Sequence, residues 1–274
     1  MEMDLEREEV RLVQEGMSPQ ELLDDVFLPY LDLRLDKDVL QAESLRYGVA
    51  STGLFAADWR VRPPWVAAEP VLKAYVADHL AYRSGVERAV VARYLKRMAE
   101  DGWSEEGLDV RAAVKEIWRQ GASLIPEGLS QSALSGLEHD LPEKASETGR
   151  ALAHAIQGWT QETLQEMGLA KLRLWRGVAF DQPAPAHFTT RGWQARKIED
   201  DLPALSTWTL DKSAAMQYAW WDEGDLVRRI LYAEVDIEQV FSTFLSGPGN
   251  SSEAEVLLLG GKLELRAMSA KEEA

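Results

Sequence analysis

The amino-acid sequence predicts an α+β fold, with helices in its first part and strands in its last. Over the first ~150 residues apolar side chains recur at three- and four-residue spacing, the period of an amphipathic helix. After Gly168 the period drops to two, as in half-buried strands, and one helical stretch interrupts the alternation. Helices segregated from strands, without regular βα alternation, point to α+β architecture.

Two early helices carry the stripes Val71, Tyr75, Val76, His79, Leu80 and Val90, Val91, Tyr94, Leu95, Met98. Breaks are expected at Arg62-Pro63-Pro64, Asp101-Gly102 and Ile125-Pro126. Residues 1–126 are therefore read as a helical N-terminal region. The stretch from Glu127 to Glu147 is rich in Ser, Gly, Pro and acid, which marks a linker over 127–148. A C-terminal domain, 149–274, opens with a helix of about Ala151 to Met167, followed by Gly168 in the C′ position. Strands are expected in KLRLWRGVAF, RRILYAEVDI, EAEVLLLG and KLELRAM. Between the first two, the short strand LSTWT runs into a helix with Asp211 as N-cap and Ala214, Ala215, Tyr218 and Ala219 along it.

With 274 residues, 46% of them hydrophobic, the chain can bury a proper core. Its net charge of −16, with no basic stripe, argues against a non-specific nucleic-acid binder, which needs Lys and Arg to replace phosphate counterions. A nucleic-acid target could be met only through one local patch. The absence of cysteine excludes disulfides, Cys-ligated zinc and a thiol nucleophile. His79, His139, His154 and His187 lack metal-ligand spacing, so no metal is expected. The acidic start MEMDLEREEV is not a secretory signal, and no apolar run reaches membrane-span length. The expectation is a cytoplasmic protein with no membrane partner, unless a signal-independent route delivers it elsewhere.

Three marks carry chemistry. On the strand KLRLWRGVAF, alternation puts Leu172, Leu174, Arg176 and Val178 on one face. An arginine among inward aliphatics needs an anion, either a structural carboxylate or a bound phosphate or carboxylate that suits its planar fork. Gly177 follows, and glycine inside a strand marks close approach of a ligand or of another backbone. In EAEVLLLG, Glu253 and Glu255 share a face with Leu257 and Leu259, about 7 Å apart at two-residue spacing. Such a pair either is buried at a cost or sits on a solvated strand start. The preceding run from Ser246 to Ser252 is turn-rich and expected to be mobile, a common setting for substrate recognition. The third mark is the hydroxyl set Ser206, Thr207 and Thr209, which on its own is ordinary strand composition.

Taken together and in this order, the three marks resemble the arginine–serine–glutamate class of ADP-ribosyltransferases, which includes clostridial-type toxins, vertebrate ecto-enzymes and phage and bacterial relatives. LWRGV is similar to the family's aromatic-Arg-Gly strand, TWTLDKSAAMQYA to its Ser-Thr-Ser strand and Ala-x-x-Phe-Ala helix, and EAEVLLLGG to its Glu-x-Glu strand. The resemblance covers about Gln157 to Met268. It departs at one point: the Ser-Thr-Ser motif falls on Thr207, Trp208 and Thr209, so either Thr207 or, after a one-residue slip, Ser206 takes the leading serine's role.

The resemblance implies two packed, mainly antiparallel sheets with flanking helices and an NAD cleft. It implies transfer of ADP-ribose from NAD to a protein acceptor, with release of nicotinamide. Glu255 would be the catalytic carboxylate, Arg176 would bind the NAD phosphates, and the Gly177 backbone would hold the carboxamide. Thr207 or Ser206 would orient Glu255, with Thr209 completing the hydroxyl set. Glu253 would receive the acceptor, and glutamate in that position goes with arginine in this family. Trp220 and Trp221 stand where the family binds cofactor, although aromatic residues at a helix end equally serve a core. An NAD glycohydrolase needs the same cleavage machinery. From another class, a phage structural or interaction protein could carry the fold in degenerate form.

Overall fold

The computed structural model describes residues 21, 23–27, 64–100, 102, 104–118, 144–180, 197–220, 227–250 and 253–269. After a short π-helix, Leu23–Phe27, come three α-helices: α1 (Pro64–Ser84), α2 (Arg88–Glu100) and α3 (Glu105–Trp118). Pro64 occupies the first helical position of α1, where its fixed φ fits and its missing N–H costs nothing. Between α1 and α2 the chain turns at Gly85, whose φ of 70° is one a side chain would resist. Glu105 and Glu106 open α3, where negative charge meets the positive end of the helix dipole.

The next helix, α4 (Glu147–Glu166), starts at an N-cap, Ser146, whose Oγ accepts the Gly149 N–H at 2.9 Å. Helix α4 therefore begins inside the expected linker. Residues 127–143 of that stretch, and the breaks at Arg62-Pro63 and Ile125-Pro126, lie outside the described residues. The buried Asp109 of α3 ties this corner together, accepting from Tyr94 Oη at 2.8 Å, Ser146 N at 2.7 Å and Ser146 Oγ at 2.6 Å. At its far end α4 stops as expected. Gly168 adopts φ 74°, its N–H reaching Gln165 O at 2.9 Å while Leu169 N–H reaches Leu164 O at 3.0 Å, a Schellman closure.

The strands are β1 (Lys171–Phe180), β2 (Lys197–Thr209), β3 (Val227–Asp236), β4 (Val240–Thr243) and β5 (Glu255–Ser269). Helix α5 (Lys212–Trp220) follows β2, with the Asp211 carboxylate accepting the Ser213 N–H at 2.7 Å. All strand pairs are antiparallel, in the order β2-β1-β3-β5-β4. A further ladder pairs β2 with β5, so the pairings β2–β1–β3–β5–β2 close a ring that β4 extends from β5. This corrects the expectation of two packed sheets: the described strands form one continuous five-stranded sheet. The reason is β5, which merges the two expected strands EAEVLLLG and KLELRAM. Its first half pairs with β4 and β2, and its second half with β2 and β3. The register of β2 against β5 shifts between Leu202 and Leu205, around Pro203, which has no N–H to give the ladder.

One buried cluster joins the helical region to the sheet. It runs from Leu72, Val76 and Leu80 of α1 through Val110 and Val114 of α3 to Leu172 and Leu174 of β1 and Val256 and Leu258 of β5. Helices assigned by sequence to a separate N-terminal region thus share a core with the strands. No helix among the described residues is long and apolar enough to cross a membrane.

Candidate active site

Strand register brings the three sequence marks to one place. Trp175 of β1 stands opposite Thr209 of β2, and Thr209 stands opposite Glu255 of β5. Neighbouring strands lie about 4.8 Å apart, so Arg176 and Glu255 are separated by two strand spacings, about 10 Å. Between them opens a cleft of about 320 Å³ lined by Trp175, Arg176, Gly177, Thr207, Thr209, Tyr218, Glu253 and Glu255, among others.

Arg176 is half-buried, and its guanidinium lies 5.9 Å from the centre of the Trp208 ring, within cation–π range. Gly177 is explained by packing of helix on strand. A Cβ there would sit 1.9 Å from Ala215 O and 2.7 Å from Ala219 N of α5, so the absent side chain makes room for the helix backbone. Of the two readings that the glycine allowed, close approach of another backbone is the one observed; its own backbone still lines the cleft.

Ser206 and Thr207 lie on opposite faces of β2. Ser206 is 2% exposed and turned into the core, where its Oγ accepts the Trp208 indole N–H at 3.0 Å. Ser206 therefore does not line the cleft, because alternation on β2 turns it to the other face. Thr207 lines the cleft beside Glu255, where its hydroxyl favours the ionised carboxylate. Thr209 braces the turn beyond. Its Oγ1 accepts the Asp211 N–H at 2.8 Å and donates to the Glu253 carbonyl.

The two glutamates do not share a strand. Ala254 has φ 46°, a left-handed backbone that breaks the alternation, and Glu253 lies before β5 begins. Both carboxylates still line the cleft, but each has its own setting. Glu255 Oε2 accepts the Asn250 N–H at 2.6 Å. Burial pushes the Glu255 carboxyl up to about 7, helped by the nearby Glu253 charge and opposed by the Asn250 N–H, the Thr207 hydroxyl and the Arg111 charge. Glu253 Oε2 accepts the Tyr218 hydroxyl at 2.5 Å. Burial and that carboxylate together hold the Tyr218 phenol well above its ordinary range.

The loop feeding Glu255, expected to be mobile, is packed. Ser246 is fully buried, with Thr160 Oγ1 at 2.7 Å and Thr243 Oγ1 at 3.0 Å from its Oγ. A Cβ on Gly249 would meet Glu255 O at 2.8 Å. Small residues let this loop fold against the sheet and aim Asn250 N–H at the carboxylate. Ser251 and Ser252 lie outside the described residues, as do Trp221 and the Trp220 side chain.

Two residues in the cleft had no sequence signal assigned to the site. Arg111 of α3 lines it, with Met98, Ala99 and Gly102 beside it, so the helical region supplies a wall. Its Nη1 donates to Leu205 O at 2.7 Å and its Nε to Gly102 O at 3.0 Å. Tyr218 was legible only as an apolar helix position; the structure leaves it 47% exposed beside the cleft. Among known proteins, no family model, curated sequence or solved structure matches the chain.

Proposed function

We propose that the protein is an NAD-dependent mono-ADP-ribosyltransferase that modifies arginine on a protein acceptor. The observation that carries the reading is the meeting of Arg176, Thr207, Glu253 and Glu255, from separate segments, in one cleft of ligand size. Arg176 offers a forked donor set for the pyrophosphate of NAD. As the bond between ribose C1′ and the nicotinamide nitrogen breaks, its electron pair leaves with nicotinamide and positive charge grows on the ribose. The Glu255 carboxylate, held by the Asn250 N–H with Thr207 beside it in the cleft, stabilises that charge more than the ground state. The acceptor guanidinium binds at Glu253. Its nitrogen attacks C1′ and passes a proton to that carboxylate, since guanidinium is otherwise a poor nucleophile.

The test is nicotinamide release from NAD by the purified chain, with and without agmatine as guanidino acceptor, for the native protein and Glu255→Gln. Release that Glu255→Gln abolishes, with ADP-ribosyl-agmatine formed, supports the proposal. Release without transfer would make the protein an NAD glycohydrolase. No release by the native chain would turn the reading towards a non-catalytic interaction protein.

A further inference from the structure

We propose that Tyr218 is a positioning residue for the acceptor: its hydroxyl fixes one oxygen of Glu253 and leaves the other to receive a cationic guanidino group. This rests on the function proposed above and names what sets its acceptor side. Glu253 is held at both ends. Its backbone carbonyl accepts from Thr209 Oγ1, and its carboxylate Oε2 accepts from Tyr218 Oη at 2.5 Å. The donor is itself rigidly carried. Helix α5 is capped at Asp211 and seated against β1 at Gly177, where no side chain intervenes. A carboxylate on a short turn would otherwise sample several rotamers; a bond from a fixed helix selects one before the acceptor arrives.

The chemistry suits this role. A phenol donates to a carboxylate and carries no charge of its own, so it fixes Glu253 without taking the place of a guanidinium. The phenol is also a poor base and does not compete for the guanidinium's proton. Tyr218 is half exposed at the rim of the cleft while Glu255 lies deeper, so an acceptor from solvent meets the Tyr218–Glu253 pair first.

Tyr218→Phe removes the hydroxyl and keeps the ring. Steady-state transfer from NAD to agmatine is compared for the native chain, Tyr218→Phe, Glu253→Gln and the double variant. The expected result is a KM for agmatine raised about tenfold by Tyr218→Phe, the worth of one charge-assisted hydrogen bond, with a smaller change in kcat. The double variant should transfer no more slowly than Glu253→Gln, because the hydroxyl acts only through that carboxylate. A native KM in Tyr218→Phe, or losses that multiply in the double variant, would overturn the proposal. A spectrophotometric phenol titration separates this from failure of the underlying function. Comparison with Tyr218→Phe assigns the Tyr218 signal, and Glu253→Gln should let that phenol ionise at lower pH. No nicotinamide release by the native chain overturns the function and the acceptor role together. An unchanged Tyr218 titration in Glu253→Gln overturns the pair itself.

Discussion

At the scale of single residues, burial of the Glu255 carboxyl ties stability to pH. Its folded pKa of about 7 lies above the ordinary 4.5, so the folded state binds its proton more tightly than the unfolded state does. The associated stability is fully present below about pH 4.5 and is lost as pH rises through 7. The groups facing the carboxyl are Glu253, Thr207, Arg111 and the Asn250 N–H. Glu255→Gln should therefore unfold later in urea at pH 8, by on the order of 2–3 kcal/mol, with the gain gone at pH 4.5. It should also cut nicotinamide release about a hundredfold or more. A gain of equal size at both pH values would show that the carboxylate carries no such burial cost. The two hydroxyls on β2 should separate in the same spirit. Ser206→Ala leaves the Trp208 indole N–H without its acceptor and should cost about 1–3 kcal/mol of stability. Thr207→Ala should instead lower nicotinamide release about tenfold, by taking from Glu255 a hydroxyl that favours its ionised form. Reversed outcomes in denaturation and turnover would mean that β2 is placed one residue out of register.

Elements come next, and the contact that matters is α3 against the end of β2. Arg111 links them through Leu205 O and reaches back to Gly102 O at the α2–α3 turn. Arg111→Met keeps the stem's packing but strands two carbonyls, at a cost on the order of 2–4 kcal/mol. The same change removes a positive charge that favours ionised Glu255, so the acid limb of nicotinamide release should move to higher pH. A stability loss with an unmoved pH profile would confine Arg111 to the scaffold. Helix α5 shows the same coupling of packing to placement. Ala215 O occupies the space of a Gly177 side chain, and that seat carries Tyr218 to Glu253.

Across the whole molecule, one core holds α1, α3, α4 and the sheet, and the cleft has one wall from each side. A fragment of residues 149–274 would expose the apolar faces of α4, including Leu152, Ile156 and Leu164, and lose Arg111 from the cleft. It should fail to unfold cooperatively in circular dichroism and fail to bind NAD by calorimetry; a sharp transition with retained binding would show a self-sufficient domain. The sequence by itself determined the local periods: helices up to Gly168, strands beyond it, the Asp211 cap, and Leu172, Leu174 and Arg176 on one face of β1. These depend on neighbours three, four or two residues away, and such neighbours are legible in a line of letters. Only the tertiary structure decided which faces meet. A strand's alternation is the same under a one-residue slip, so Ser206 and Thr207 were distinguishable only once β2 was paired with β5. The turn at Ala254 and the union of two strands into β5 likewise follow from partners on both sides. Arg111 reaches the site from 94 residues before Leu205, and Tyr218 meets a carboxylate 35 residues further on. Contacts across such distances are set by packing of the core, and no local spacing encodes them.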